Sequence, residues 1–206
     1  MKLKKSMKRV LIILGIIVAI GGGVLIYNSF NGKKKSGNSV TIISHIKEYG
    51  YQLNSNESSL YKDLFKDLDQ LLSKDEHDEK EYVTLITKLF VADFYNLSNK
   101  LTSLDVGGLQ FVHKDIRDNF SLNASNTFYQ YIESNIYGDR KQELPEVTDV
   151  TVNEIKNESY TYNKVTDKNA YVVSASWVYK KELGYTKSKT FIFVHEDKKL
   201  SLVEIK

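Results

Sequence analysis

The chain of 206 residues has no cysteine, one proline and one tryptophan. Without cysteine there is no thiol nucleophile, no cysteine-held zinc or iron–sulfur cluster, no disulfide and no lipid-bearing lipoprotein cysteine. Histidine is sparse too. His45, His77, His113 and His195 have neither i, i+4 nor H-E-x-x-H spacing, so no metal site is expected. The G-x-S-x-G elbow, the phosphate-cradling G-x-x-x-x-G-K-[ST] loop and G-x-G-x-x-G are also missing, since the run Gly21–Gly22–Gly23 lies in an apolar stretch. No cofactor is expected, and the familiar nucleophile and nucleotide chemistries lose their motifs.

What is present is unevenly distributed. Residues 1–35 hold eight basic side chains and no acidic one, so the remaining 21 basic and 26 acidic residues leave the rest of the chain at −5. The overall charge of +3 therefore belongs to the first 35 residues and is no sign of nucleic-acid binding. Val10–Tyr27 is an uncharged, mostly apolar run after the basic segment 1–9, and Asn28 to Phe30 extend it before Lys33. As a helix it covers about 27 to 30 Å, the thickness of a bilayer's hydrocarbon core. The expectation is a membrane anchor over 10–30 with the N-terminus cytoplasmic. The competing reading, a cleaved secretory signal, has a shorter apolar region and an A-x-A-like site, which residues 24–32 lack. Gly15, Ala19 and Gly23 recur every four residues, the small-xxx-small spacing of close transmembrane helix packing and self-association. Residues 31–39 (NGKKKSGNS) form a polar linker whose lysines suit anionic headgroups.

From 40 to 206 the pattern is that of one extracytoplasmic domain, helical first and extended later, with Pro145 between the halves. That order predicts an α+β fold, with three or more helices packed on a C-terminal antiparallel sheet of four to five strands. Helices are expected over Thr41–Tyr51, Glu57–Ser73, Asp78–Leu101, Val112–Asn119 and Ser125–Tyr137. Strands are expected over Val147–Lys156, Tyr160–Val165, Ala170–Lys181, Lys187–Val194 and Lys199–Ile205, with a turn at Asp167–Asn169. Tyr171, Val173, Ala175, Trp177 and Tyr179 alternate with mostly smaller or polar residues, so they should line the sheet's buried face.

One carboxylate is out of place. At 100° per residue Asp93 falls within the apolar stripe of the longest helix, between the directions of Leu89 and Leu97. In a pocket it would serve as a general base or polar anchor, with Tyr95 and His113 as candidate neighbours. In a sealed core it would accept hydrogen bonds from a tyrosine or from the amides near Gly107–Gly108. The structural role is the favoured one.

Taken together, a short basic tail, one span, a polar linker, leading helices with the third longest and a closing antiparallel meander resemble the NTF2-like superfamily (cystatin-like in architecture). Within it they resemble the membrane-anchored VirB8/TcpC-like components of conjugation and type IV secretion machines. The N-P-x-G-type turn of VirB8 proteins is absent, since Pro145 stands in Leu-Pro-Glu-Val. The resemblance implies a non-enzymatic scaffold that self-associates and binds other membrane-complex proteins. Its alternative is an NTF2-like small-ligand binder or enzyme with Asp93 in a pocket between helix and sheet.

Overall fold

Thr41, Ile42 and Ile43 put three β-branched residues in a row, and Gly50 takes a left-handed φ of +65° that allows the chain to reverse. In the computed structural model, which describes Gly37 and residues 39–206, this segment is a hairpin rather than the expected helix over Thr41–Tyr51. Strands β1 (Ile42–Ile46) and β2 (Tyr51–Asn54) pair antiparallel, and Tyr51 and Leu53 are buried from one face of β2. The anchor over 10–30 with Gly15, Ala19 and Gly23, the tail 1–9, and the linker apart from Gly37 and Ser39 lie outside the described residues. Among the described residues no helix is long and apolar enough to cross a membrane.

Two helices follow. α1 (Ser59–Leu72) is capped by Ser58, whose hydroxyl accepts from the amide of Tyr61 at 3.2 Å, and buries Leu64, Leu68, Leu71 and Leu72. α2 (Glu79–Phe94) is capped by Asp78, which accepts from the amide of Lys80 at 2.8 Å, and carries Glu79 and Glu81 in its first turn, where the helix dipole favours negative charge. It is the longest helix among the described residues and is buried nearly all round from Tyr82 onward. It stops at Phe94 instead of running to Leu101, because the next amides find other acceptors. Those of Leu97 and Ser98 donate to the Pro145 carbonyl at 3.0 and 3.1 Å, and the Asn96 side chain accepts from the amide of Val147.

The two short helices expected beyond Gly108 are replaced by a 3-10 turn at Leu109–Phe111 and one helix, α3 (Arg117–Asn126). Val112 and His113 are extended because they run alongside the last strand, the amide of His113 donating to the Leu202 carbonyl at 2.9 Å.

After Pro145 four strands form an antiparallel meander in chain order: β3 (Val147–Tyr162), β4 (Val165–Tyr179), β5 (Ser188–Glu196) and β6 (Lys199–Ile205). The protein is thus α+β, three helices packed on a four-stranded antiparallel sheet. Of the four or five strands expected, four form, with Val147–Tyr162 unbroken. Its turn falls at Asn163–Lys164, both at positive φ as a two-residue hairpin loop requires, while Asp167–Asn169 lies inside β4. Tyr171, Val173, Ala175, Trp177 and Tyr179 are all buried, as the alternation predicts. The sheet is rolled so far that its outermost strands meet: Tyr160 on β3 donates to Glu204 on β6 at 2.5 Å. The tip of the β3–β4 hairpin reaches the 112–115 segment, where Tyr162 packs edge-on against His113 and Asn163 donates to Asp115.

Candidate functional site

The last turn of α2 holds Asp93 buried inside the domain. Lys100, whose side chain is 2% exposed, pairs with Asp93 Oδ1. Asp93 Oδ2 accepts from the amide of Gly108 at 2.6 Å. Both carboxylate oxygens are therefore committed, one to a buried ammonium and one to backbone. Burial acts to lower the Lys100 pKa, but Asp93 first, then Tyr129 and Glu57, hold it above the ordinary lysine range, so the lysine stays protonated.

The surrounding chain is shaped to this pair. A Cβ on Gly107 would lie 2.4 Å from Asp93 Oδ1 and 2.5 Å from the Asp93 carbonyl, and Gly108 takes a φ of +74°. Only glycine lets the backbone come this close to the carboxylate. Tyr129 bridges the same spot, donating to the Phe94 carbonyl at 2.6 Å and accepting from the amide of Gly107 at 3.1 Å. Asp105 accepts from the amide of Leu101, and Arg140 donates to the carbonyls of Ser98, Lys100 and Glu133, closing the loop over the buried lysine.

One side of this network is open. A depression of about 520 Å³ has Glu57, Asp93, Lys100, Asp105 and Asn56 among its polar lining groups, and Val40, Leu104 and Ile136 as exposed apolar groups at its rim. Glu57 is 8% exposed, and its carboxyl accepts from Asn99 at 3.2 Å. Burial and the charge of Asp93 push Glu57 up to about 7, against the opposing pull of Lys100 and Asn99.

The structure does not bring Tyr95 or His113 to Asp93. The Tyr95 ring packs against Trp177, Phe94 and Phe128, with its centroid 4.3 Å from that of Trp177. His113 faces a second cavity, of about 290 Å³, under the β3–β4 hairpin tip together with Tyr162, Asp167, His195 and Glu196. There His195 is held at both ring nitrogens, Nδ1 by Asp167 at 2.8 Å and Nε2 by Glu79 at 3.3 Å. These two carboxylates raise its pKa although burial opposes them. Neither cavity gathers a metal set: among the described residues no three or more His, Cys, Asp or Glu side chains suit a metal ion.

Lys100 and Glu57 are the members of the Asp93 cluster that the sequence reading omits. A signal for Lys100 exists, since it stands seven residues after Asp93 and so on the same face of a continuous helix, though about 10 Å along it. Breaking the helix at Phe94 removes that separation. Glu57 opens the helix expected over Glu57–Ser73, where an acidic first-turn residue is ordinary, and so carries no such signal; in the structure it precedes α1. Compared with protein families, curated proteins and solved structures, the chain matches none.

Proposed function

We propose that this chain is a membrane-anchored scaffold whose extracytoplasmic domain works by docking other proteins, as subunits of an envelope complex of the conjugation or secretion kind. The apolar run 10–30 and the lysines around it support the anchor. Leading helices followed by a four-stranded meander support the NTF2-like, VirB8-like reading of the domain.

The observation that carries the choice of scaffold over enzyme is the commitment of Asp93. A general base needs a free lone pair facing substrate. Here one oxygen is paired with Lys100 and the other with the Gly108 amide, so the carboxylate serves the fold. The same region offers a depression with Val40, Leu104 and Ile136 exposed at its rim, an arrangement suited to a protein partner. Crosslinking in intact cells followed by affinity capture of the full chain tests the proposal. Recovery of further copies of the chain or of other membrane-complex subunits is the expected result. A protein that stays monomeric and partner-free under crosslinking overturns it.

A further inference from the structure

The floor of the rimmed depression has a surplus of hydrogen-bond acceptors. Asn99 Nδ2 donates both to Glu57 Oε2 and to the Asn56 carbonyl, and Asn56 Nδ2 donates to the Asn99 carbonyl. The side-chain oxygen of Asn56, which lines the depression together with Glu57, is buried without a donor. Charge points the same way. Three carboxyl groups, Glu57, Asp93 and Asp105, line the depression with one lysine, Lys100, and that lysine is paired with Asp93. A visitor that completes this corner brings donors and positive charge.

An ammonium group meets both conditions, with three N–H donors and a positive charge. A lysine side chain also brings a four-carbon stem, which an apolar rim can cover while its head reaches a polar floor. We propose that this cavity receives the ammonium of a lysine presented by a protein partner, with Glu57 as the receiving carboxylate and Val40, Leu104 and Ile136 covering the stem. The proposal rests on the docking reading above and names the chemistry of what docks. Because Glu57 titrates near 7, an ammonium arriving at neutral pH displaces a proton from it.

The test is calorimetric titration of the full chain in detergent at pH 7 with three probes: acetyl-Leu-Lys-Leu-amide, the same peptide with Nε-acetyllysine, and n-butylammonium. The lysine peptide binds with proton release, seen as a dependence of the heat on buffer ionisation. Acetylation of its lysine and the variant Glu57→Gln each weaken it at least about tenfold, the scale of a charge-assisted hydrogen bond. Leu104→Ser, at a residue 78% exposed and so harmless to folding, weakens the peptide as well. Equal binding of the two peptides, undiminished binding to Glu57→Gln, or no binding at millimolar lysine peptide overturns the ammonium site. Butylammonium binding as tightly as the peptide overturns a protein as its source. Crosslinked partners captured equally by wild type and Glu57→Gln leave the docking function standing without this site, whereas wild type capturing none removes the docking function itself.

Discussion

Asp93 and Lys100 form an ion pair inside the domain, with the lysine side chain 2% exposed and the aspartate's second oxygen held by the Gly108 amide. Taking two charges out of water costs several kcal/mol per ion, and their attraction offsets that only while both partners are present. Lys100→Met leaves the Asp93 carboxylate buried without its counter-charge. It is expected to lose about 3–5 kcal/mol of stability in urea unfolding. The double variant Asp93→Asn/Lys100→Met should lose clearly less than Lys100→Met alone. Equal losses would show that the two side chains do not act as a pair.

Gly107 is the tightest backbone approach to that carboxylate. Gly107→Ala places a methyl carbon within 2.4 Å of Asp93 Oδ1, and the contacted atoms include the Asp93 carbonyl, which cannot swing away. A loss of about 1–3 kcal/mol, the usual scale of overpacking, is expected. Gly184→Ala serves as the comparison, since Gly184 has the positive φ that Gly107 lacks and nothing near its added carbon. Thermal unfolding of the two variants therefore separates steric contact from backbone strain.

Glu57 makes the domain weaker in base. Its pKa rises from an ordinary 4.5 to about 7 on folding, so the native state holds a proton that the unfolded chain has released between those values. Its contribution is fully present below about pH 4.5 and is lost as pH rises through 7. At pH 8 Glu57→Gln is expected to be more stable than wild type by about 2–3 kcal/mol, with little difference at pH 4. Urea midpoints at the two pH values check this; a gain of the same size at both would remove titration as its cause.

His195 joins three elements through its charge. Asp167 on β4 and Glu79 at the start of α2 hold its two nitrogens; Tyr171 donates to Glu79, and Asp78 stands next to it in sequence. The pKa of His195 is raised, so its stabilising contribution is complete below the unfolded value of about 6.5 and fades as pH climbs through the folded one. Asp167 runs the other way: burial opposes its charge, but the amides of His195 and Asn169 and the imidazole lower its pKa. Its contribution holds above the unfolded carboxylate value and fades in acid. Asp167→Asn is expected to lower the His195 pKa, read from ring proton shifts in an NMR titration. An unchanged midpoint would mean that the contact is not formed in solution.

The elements that the sequence made legible are those whose periodicity is their own. The leucine spacing of α1 and the alternation Tyr171 to Tyr179 report burial directly, because one face of each is covered along its whole length. Elements whose form depends on distant chain are less readable. The segment after Phe94 keeps a helical pattern through Leu97, Lys100 and Leu101, yet it unwinds because the Pro145 carbonyl, nearly fifty residues on, takes two of its amides. Val112 likewise reads as helical until β6 is beside it. Asp93 stands out by its misplaced charge and its backbone partner by the glycine pair. The chemical type of Tyr95 and His113 suits a site but says nothing of which face each side chain takes.

The order of the elements fixes when this domain can fold. α2 presents buried side chains on nearly all its faces and is made early, whereas the sheet that covers it is made last. Leu200 and Leu202, each 1% exposed, are core residues on the final strand. Until they emerge, the helix has no complete surface to pack on, and a helix of sixteen residues is marginal alone. The domain is therefore one that folds after its synthesis rather than during it, and a chain halted before β6 exposes an apolar helix to whatever is nearby.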